Sequence, residues 1–248
     1  MANWQRGVLR AMGATAYPAT VVGTEDFEPW YRRIRFAGPE FLGAADVQPT
    51  TWMRLWVPNE ARQDMSQRGY TFIGADPAAG TFDIDFVLHE TPGPAGDFAK
   101  RARPGDPVEA MPSKNGLKAP ADVGRFILVG DSTALPAIMT IVEHAAAHRP
   151  DAAITVLIED EHPEPSGIPL PAHPNMAWRW LRLDGAERGT LAAAALRELN
   201  VSRDRAFAWA AGERRLVRAA KTVFKDVYRL DRTRQHAQNY WIEGVAGR

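Results

Sequence analysis

There is no cysteine among the 248 residues, which excludes disulfides, thiolate metal sites, iron–sulfur clusters and a cysteine nucleophile. No apolar run approaches the length that spans a bilayer, and the first twenty residues, interrupted by Arg6 and Arg10, lack a signal-peptide core. The expectation is a soluble, cytoplasmic chain with no membrane insertion. Net charge is missing as well. Thirty lysines and arginines balance thirty aspartates and glutamates, so no global grip on nucleic acid is expected. Nor is there an internal repeat, a low-complexity tract or a Gly-x-Gly-x-x-Gly loop.

What is present falls into two grammars, with the change near Pro120. From 1 to 120, short alternating segments separated by Pro and Gly (Ile34-Arg35-Phe36, Thr51 to Val57, Phe82 to His89) predict an antiparallel β-barrel. Within Asp83 to Leu88, apolar Ile84, Phe86 and Leu88 share one face and Asp83 and Asp85 the other, as in a half-buried strand. From 121 to 248, strands and helices alternate: Phe126 to Val129, a helix to about Ala147, Ile154 to Ile158, Ala206 to Ala211, then a helix carrying Leu216, Ala220, Val223, Phe224 and Val227 on one face. Such alternation predicts a parallel-sheet α/β domain. Glu161 to Asn175, with five prolines, reads as loop.

The second half opens with its most informative stretch, Val129 to Ala137. A buried strand turns there into a helix whose Leu135, Ile138, Met139 and Val142 form one stripe, with Thr133 as the expected N-cap and Pro136 in the first turn. The unpaired amides of such a turn favour an anion, and Gly130 would let a pyrophosphate approach. The alternative is ordinary turn chemistry.

In the first half, Arg68-Gly69-Tyr70-Thr71 places Arg68 and Tyr70 on one face of a strand and Thr71 on the other. One strand would then supply a cation, an aromatic wall and a hydroxyl, the groups that a flavin needs; the alternative is an exposed edge strand. His89 precedes the small-residue loop Gly93-Pro94-Ala95-Gly96, whose amides could cradle a pyrophosphate. His89 alone is the pattern of a structural histidine.

The order Arg68-x-Tyr70-Thr71, Asp85-Phe86-Val87-Leu88-His89 with Gly93-Pro94-Ala95, Pro104-Gly105-Asp106, then Gly130-Asp131-x-Thr133-Ala134-Leu135-Pro136-Ala137 resembles the siderophore-interacting proteins, flavin-dependent ferric-siderophore reductases of the ferredoxin-reductase-like superfamily. Trp209-Ala210-Ala211-Gly212-Glu213 and Tyr240-Trp241 fit the same order, so the resemblance spans nearly the whole chain. It implies FAD held by Arg68, Tyr70 and Thr71, by Val87 and His89, and by the loop with Ala95 and Gly96. NADH or NADPH would dock on the second domain at Gly130, Asp131, Ser132 and Thr133, with Gly212, Glu213, Tyr240 and Trp241 lining that side. Two departures stand out. Ile73 lies where the family often has a second arginine, and Gly96 and Phe98 lie where it has serine and tryptophan. A weaker grip on FAD phosphate follows.

Glu159 and Asp160, just past a strand, are placed to take an adenine ribose and repel a 2′-phosphate, which favours NADH; the alternative is a solvated acidic loop. Fe(III) in a siderophore is held by hard oxygen donors and Fe(II) less so, so the protein needs no metal ligands of its own, only a basic pocket for an anionic complex. By resemblance that pocket would comprise Arg54, Lys114 or Ser113, and His236 with Arg232 and Arg234. As charges alone they are ordinary surface cations. The expected activity is FAD-dependent electron transfer from NAD(P)H to ferric siderophore with release of Fe(II), an external ferredoxin being an alternative donor. The rival readings are a general NAD(P)H:flavin or acceptor reductase and a non-catalytic flavin- or siderophore-binding protein. Most of the eight tryptophans should pack in cores, whereas Tyr240-Trp241 either pins the C-terminal tail or borders the cofactor sites.

Overall fold

A computed structural model describes residues 15–59, 63–89 and 93–245, and the chain divides into two compact units, Met1–Gly116 and Leu117–Arg248. The first is a closed antiparallel barrel of six strands in the order β1-β2-β5-β4-β3-β6. The strands are β1 (Tyr17–Glu28), β2 (Tyr31–Ala37), β3 (Trp52–Asn59), β4 (Asp64–Asp76), β5 (Thr81–Val87) and β6 (Pro107–Pro112). Two short helices, α1 (Pro39–Ala44) and α2 (Pro94–Arg101), accompany them. Closure removes the exposed sheet edges. Inward residues at period two, among them Ile34, Phe36, Leu55, Phe72, Phe82, Ile84 and Phe86, meet Phe41 of α1 and Phe98 of α2 in one apolar cluster.

The outward face of β5 corrects a simple reading of its alternation. Asp83 and Asp85 lie opposite Ile84 and Phe86, yet both are buried. The register sets Arg33 against Asp85 and Arg35 against Asp83. Each pair is a two-pronged bridge, at 2.7 and 2.9 Å for Arg33–Asp85 and 2.8 and 2.9 Å for Arg35–Asp83, and Tyr31 donates to Asp85 at 2.8 Å. The carboxylates are covered by their own partners, which supply the hydrogen bonds that a buried charge requires.

The second unit is a five-stranded parallel sheet in the order β11-β10-β7-β8-β9. It comprises β7 (Arg125–Gly130), β8 (Ala153–Asp160), β9 (Met176–Arg182), β10 (Ala206–Glu213) and β11 (Gln235–Trp241). Its helices are α3 (Leu135–His148), α4 (Thr190–Glu198) and α5 (Arg214–Thr222). The continuous apolar runs of β7 and β10 are buried throughout, as central strands of a covered parallel sheet must be. β9 and α4 have no counterpart in the sequence reading. The run 161–175 is irregular, as its prolines dictate. The order reverses between β7 and β10, so the ligand-binding crevice of such a sheet is expected beyond their C-terminal ends. Among the described residues no helix is long and apolar enough to cross a membrane.

Candidate functional site

In the barrel unit, β4 carries Arg68, Tyr70 and Thr71. Tyr70 is half-buried against the core cluster, its ring 4.7 Å from that of Phe86, and burial pushes its phenol above the usual range. Thr71 is buried and faces Trp52 across the ladder, and the amide of Ser113 donates to the Trp52 carbonyl at 3.0 Å. The Ser113 hydroxyl is buried with no hydrogen-bond partner. Buried hydroxyls are seldom left so, and this one, on the side of Trp52 away from Thr71, marks a place where a polar ligand atom could complete the bonding. Arg68 donates to the Gln67 carbonyl at 2.7 Å; Arg54 stands 5.2 Å from the Trp52 ring and reaches Gln67 Oε1 at 3.2 Å. Lys114 is exposed. Ile73, in place of a second arginine, is buried.

Val87 closes β5 opposite Tyr31, and His89 is exposed, its carbonyl accepting from Lys100 at 2.9 Å. Glu90 to Pro92, between His89 and the expected pyrophosphate loop Gly93 to Gly96, lie outside the described residues, and that loop is instead the N-cap and first turn of a helix. α2 then begins with Gly93 as N-cap, Pro94 in its first turn and no side-chain cap, while Ala95 and Phe98 are buried. A side chain at Gly93 or Gly96 would meet nothing within 4 Å, so space is open there. An uncapped helix start beside open backbone, an aromatic flank and an unsatisfied hydroxyl are groups that fit a flavin nucleotide.

The α/β unit departs from expectation. Thr133 is not the cap: Asp131 is, its Oδ1 accepting from the Thr133 amide at 3.0 Å and from the Thr133 hydroxyl at 2.5 Å in a short turn, Ser132–Ala134, that leads into α3. Asp160 Oδ2 accepts from the Ser132 amide at 2.7 Å. The amides offered to a pyrophosphate are therefore held by the protein's own carboxylates. Oδ2 of Asp131 is also occupied, by the Glu213 amide at 2.7 Å and Trp241 Nε1 at 2.9 Å. The Asp131 residue is only 1% exposed, and burial pushes its carboxyl up to about 6 against those hydrogen bonds.

Gly130 and Gly212 are each required by packing. A Cβ on Gly130 would fall 2.5 Å from Ala134 Cβ; one on Gly212, whose φ is +130°, would fall 2.5 Å from Asp131 Oδ2. Glu159 is the second correction. It is 0% exposed, and its two oxygens accept from the amides of Gly189 at 2.5 Å and Ala192 at 2.8 Å, capping α4. It cannot face a ribose. Asp160 is buried too; burial opposes its ionisation, but hydrogen bonds from His162 and Ser132 hold its carboxyl below the usual range. Glu213 is buried and caps α5 through the Arg215 amide.

Tyr240 is exposed, and Trp241 is pinned by Asp131 with the Arg188 guanidinium 4.9 Å above its ring. Arg234 is committed to Asp122 at 2.5 Å, so it is not a free cation for an anionic substrate. His236 is exposed and lies parallel to the buried Trp209 ring at 6.4 Å. No spacing in the sequence singles out Arg188, Arg215 and Glu243. Chain topology gathers them with Glu161 and Glu187 around a pocket of about 240 Å³ beyond the C-terminal ends of the strands.

Comparison with known proteins agrees with this architecture. Residues 123–244 match the family model for siderophore-interacting protein, and residues 48–114 that for the siderophore-interacting FAD-binding domain. A mycobactin import ATP-binding/permease protein, IrtA, of Mycolicibacterium thermoresistibile is 35% identical over 99% of this chain and 27% of its own length. The chain thus spans just over a quarter of the first curated relatives it matches. Ferric vibriobactin reductase ViuB of Vibrio cholerae is 26% identical, with 86% of this chain and 84% of the relative covered. A siderophore utilization protein from T. fusca superposes with a TM-score of 0.82 at 25% identity, over 94% of this chain and 95% of that one. The two siderophore-interacting family models together cover most of both units, and the protein belongs to the siderophore-interacting protein family.

Proposed function

We propose that this protein is a cytoplasmic flavoprotein reductase that moves electrons from NAD(P)H to the iron of a ferric siderophore. The observation that carries the reading is the barrel itself. Its match to a siderophore-interacting FAD-binding domain covers the strand on which Arg68, Tyr70 and Thr71 sit and also the unsatisfied Ser113 hydroxyl. Bound FAD would accept an electron pair and release it one electron at a time. The balance is one NAD(P)H and two Fe(III) to one NAD(P)+, two Fe(II) and one proton.

The chain's own residues bind, orient and exclude water. Tyr70 would offer a flat wall and Thr71 a hydroxyl to a flavin held there. Arg68 and the uncapped start of α2 would receive phosphate charge. No side chain need act as acid, base or nucleophile, which agrees with the buried carboxylates among the described residues, each of which accepts hydrogen bonds from the protein's own groups. Arg54 and Lys114, both on the barrel unit, are the cations we assign to the anionic ferric complex; Arg234 of the other unit is tied to Asp122. Reduction weakens a hard-oxygen chelate and frees the iron.

The test is the visible spectrum of the full chain with FAD, recorded anaerobically with NADH or NADPH and then with a ferric hydroxamate and a ferrous chelator. Flavin bands that bleach with the nicotinamide and yield two ferrous chelates per donor are expected. Thr71→Ala should shift the flavin spectrum or potential. A chain that takes up no FAD removes the proposal.

A further inference from the structure

The crevice beyond β7 and β10 cannot receive a dinucleotide's pyrophosphate without displacing a buried carboxylate. Ser132 and Thr133 amides, the Glu213 amide and the Trp241 indole are all taken by Asp160 and Asp131. Farther along the same C-terminal edge the surface opens into the 240 Å³ pocket. Leu183, Gly185 and Ala186 line it together with charged side chains. Arg188, its side chain 9% exposed, lies over Trp241 and bridges Glu161 and Glu243. Arg215, 56% exposed, stands 3.7 Å from the same Glu243.

The volume is below the range for a whole small-molecule pocket and suits one half of a dinucleotide. A carboxylate just past the second parallel strand, where Glu161 follows β8, is the place at which such sheets read an adenosine ribose. A ribose diol offers two hydroxyl donors, and Glu161, 62% exposed, presents carboxylate oxygens held in place by Arg188. A 2′-phosphate would instead meet three carboxylates, those of Glu161, Glu187 and Glu243, against two guanidinium groups already paired among them. Arg215 is the better exposed cation of the lining and could meet the diphosphate.

We infer that this pocket holds the adenosine ribose of the nicotinamide donor, that Glu161 accepts its hydroxyl hydrogen bonds, and that the site therefore takes NADH in preference to NADPH. The inference rests on the reductase reading for its donor, but the nucleotide site can be tested without it. Binding of AMP and of 2′,5′-ADP to the full chain would be measured by titration calorimetry, alongside kcat/KM for NADH and NADPH with ferric hydroxamate as acceptor.

The expected result is tighter binding of AMP than of 2′,5′-ADP and a matching preference for NADH. Glu161→Gln should lower kcat/KM for NADH about tenfold, the worth of one hydrogen bond to a charged group. Glu161→Arg should reverse the preference toward NADPH, while Glu164→Gln, outside the pocket, changes neither. Tighter 2′,5′-ADP binding, or AMP affinity and donor preference that ignore Glu161, overturns the inference. AMP binding that depends on Glu161 in a protein that oxidises neither dinucleotide overturns the reductase reading and leaves the nucleotide pocket standing.

Discussion

Replacing Glu159 by glutamine separates a carboxylate that caps a helix from one that binds a ribose. Each Glu159 oxygen accepts one backbone amide at the start of α4, from Gly189 at 2.5 Å and Ala192 at 2.8 Å. Glutamine keeps one acceptor and turns an NH2 group toward the other amide. One hydrogen bond to a charged group is lost and a buried N–H is left facing a donor, a cost of about 2–3 kcal/mol. Part of it is recovered, because a neutral side chain escapes the desolvation that raises the Glu159 carboxyl above its usual range. The net expectation is about 1–2 kcal/mol, which for a chain of this size lowers Tm by about 3–6 °C. The direction of the pKa shift adds a second signature. As pH rises past the ordinary glutamate value, the unfolded carboxyl ionises before the folded one, so the folded state loses stability until both are ionised. Glu159→Gln should flatten that slope. The assay is thermal unfolding by circular dichroism from pH 4.5 to 7.5, run with the KM for the nicotinamide donor. An unchanged Tm with a KM raised severalfold would refute the capping role and return Glu159 to the ribose.

Two further predictions concern the switch-point turn. Gly130→Ala should destabilise the α/β unit by about 1–3 kcal/mol, because its Cβ meets Ala134 Cβ at 2.5 Å and the Ala211 carbonyl at 3.1 Å; urea unfolding measures it, and unaltered stability with lost donor binding would restore a pyrophosphate role for Gly130. Asp131, with a folded value of about 6 against 3.8 in the free side chain, keeps a proton that the unfolded chain releases, so stability falls by about 3 kcal/mol as pH rises from below 4 to above 6. Asp131→Asn should remove that slope while lowering stability across the range, since it leaves donors facing an NH2 group; a slope unaltered in the variant would assign the titration elsewhere.

The fold was legible where side-chain period and burial agree. Period-two segments such as Ile34 to Phe36 gave the barrel, and the unbroken runs Phe126 to Val129 and Ala206 to Ala211 gave central parallel strands. Legibility failed at the periphery. β9, Met176-Ala177-Trp178-Arg179-Trp180-Leu181-Arg182, is an edge strand that alternates basic and aromatic residues directly after a proline-rich run. α4 carries four consecutive alanines among its nine residues, and alanine marks no face. On β5 the alternation was visible but the guanidinium cover was not, because Arg33 and Arg35 come from a strand about fifty residues earlier.

The site residues divide along the same line. Arg68, Tyr70 and Thr71 are contiguous, so their shared strand can be read without knowing its neighbours. The carboxylates of the sheet edge cannot be read that way, because their role depends on which amides lack partners. The apolar run of β8 stops at Ile158, which places Glu159 outside the strand; the ladder in fact continues to Asp160, paired with Arg182. Glu159 is therefore still within the pleat and points under α4, the helix that the sequence did not reveal. Every helix start needs acceptors for its first amides, and this unit draws them from the strand ends: Asp131 and Asp160 for the turn into α3, Glu159 for α4, Glu213 for α5. A carboxylate so used is unavailable to a ligand. Groups that can meet one lie just beyond the strand ends, and Glu161, one residue past β8, is the nearest of them. The acidic residue expected to read the ribose is thus shifted by two positions, for a reason that rests on the hydrogen-bond needs of α4.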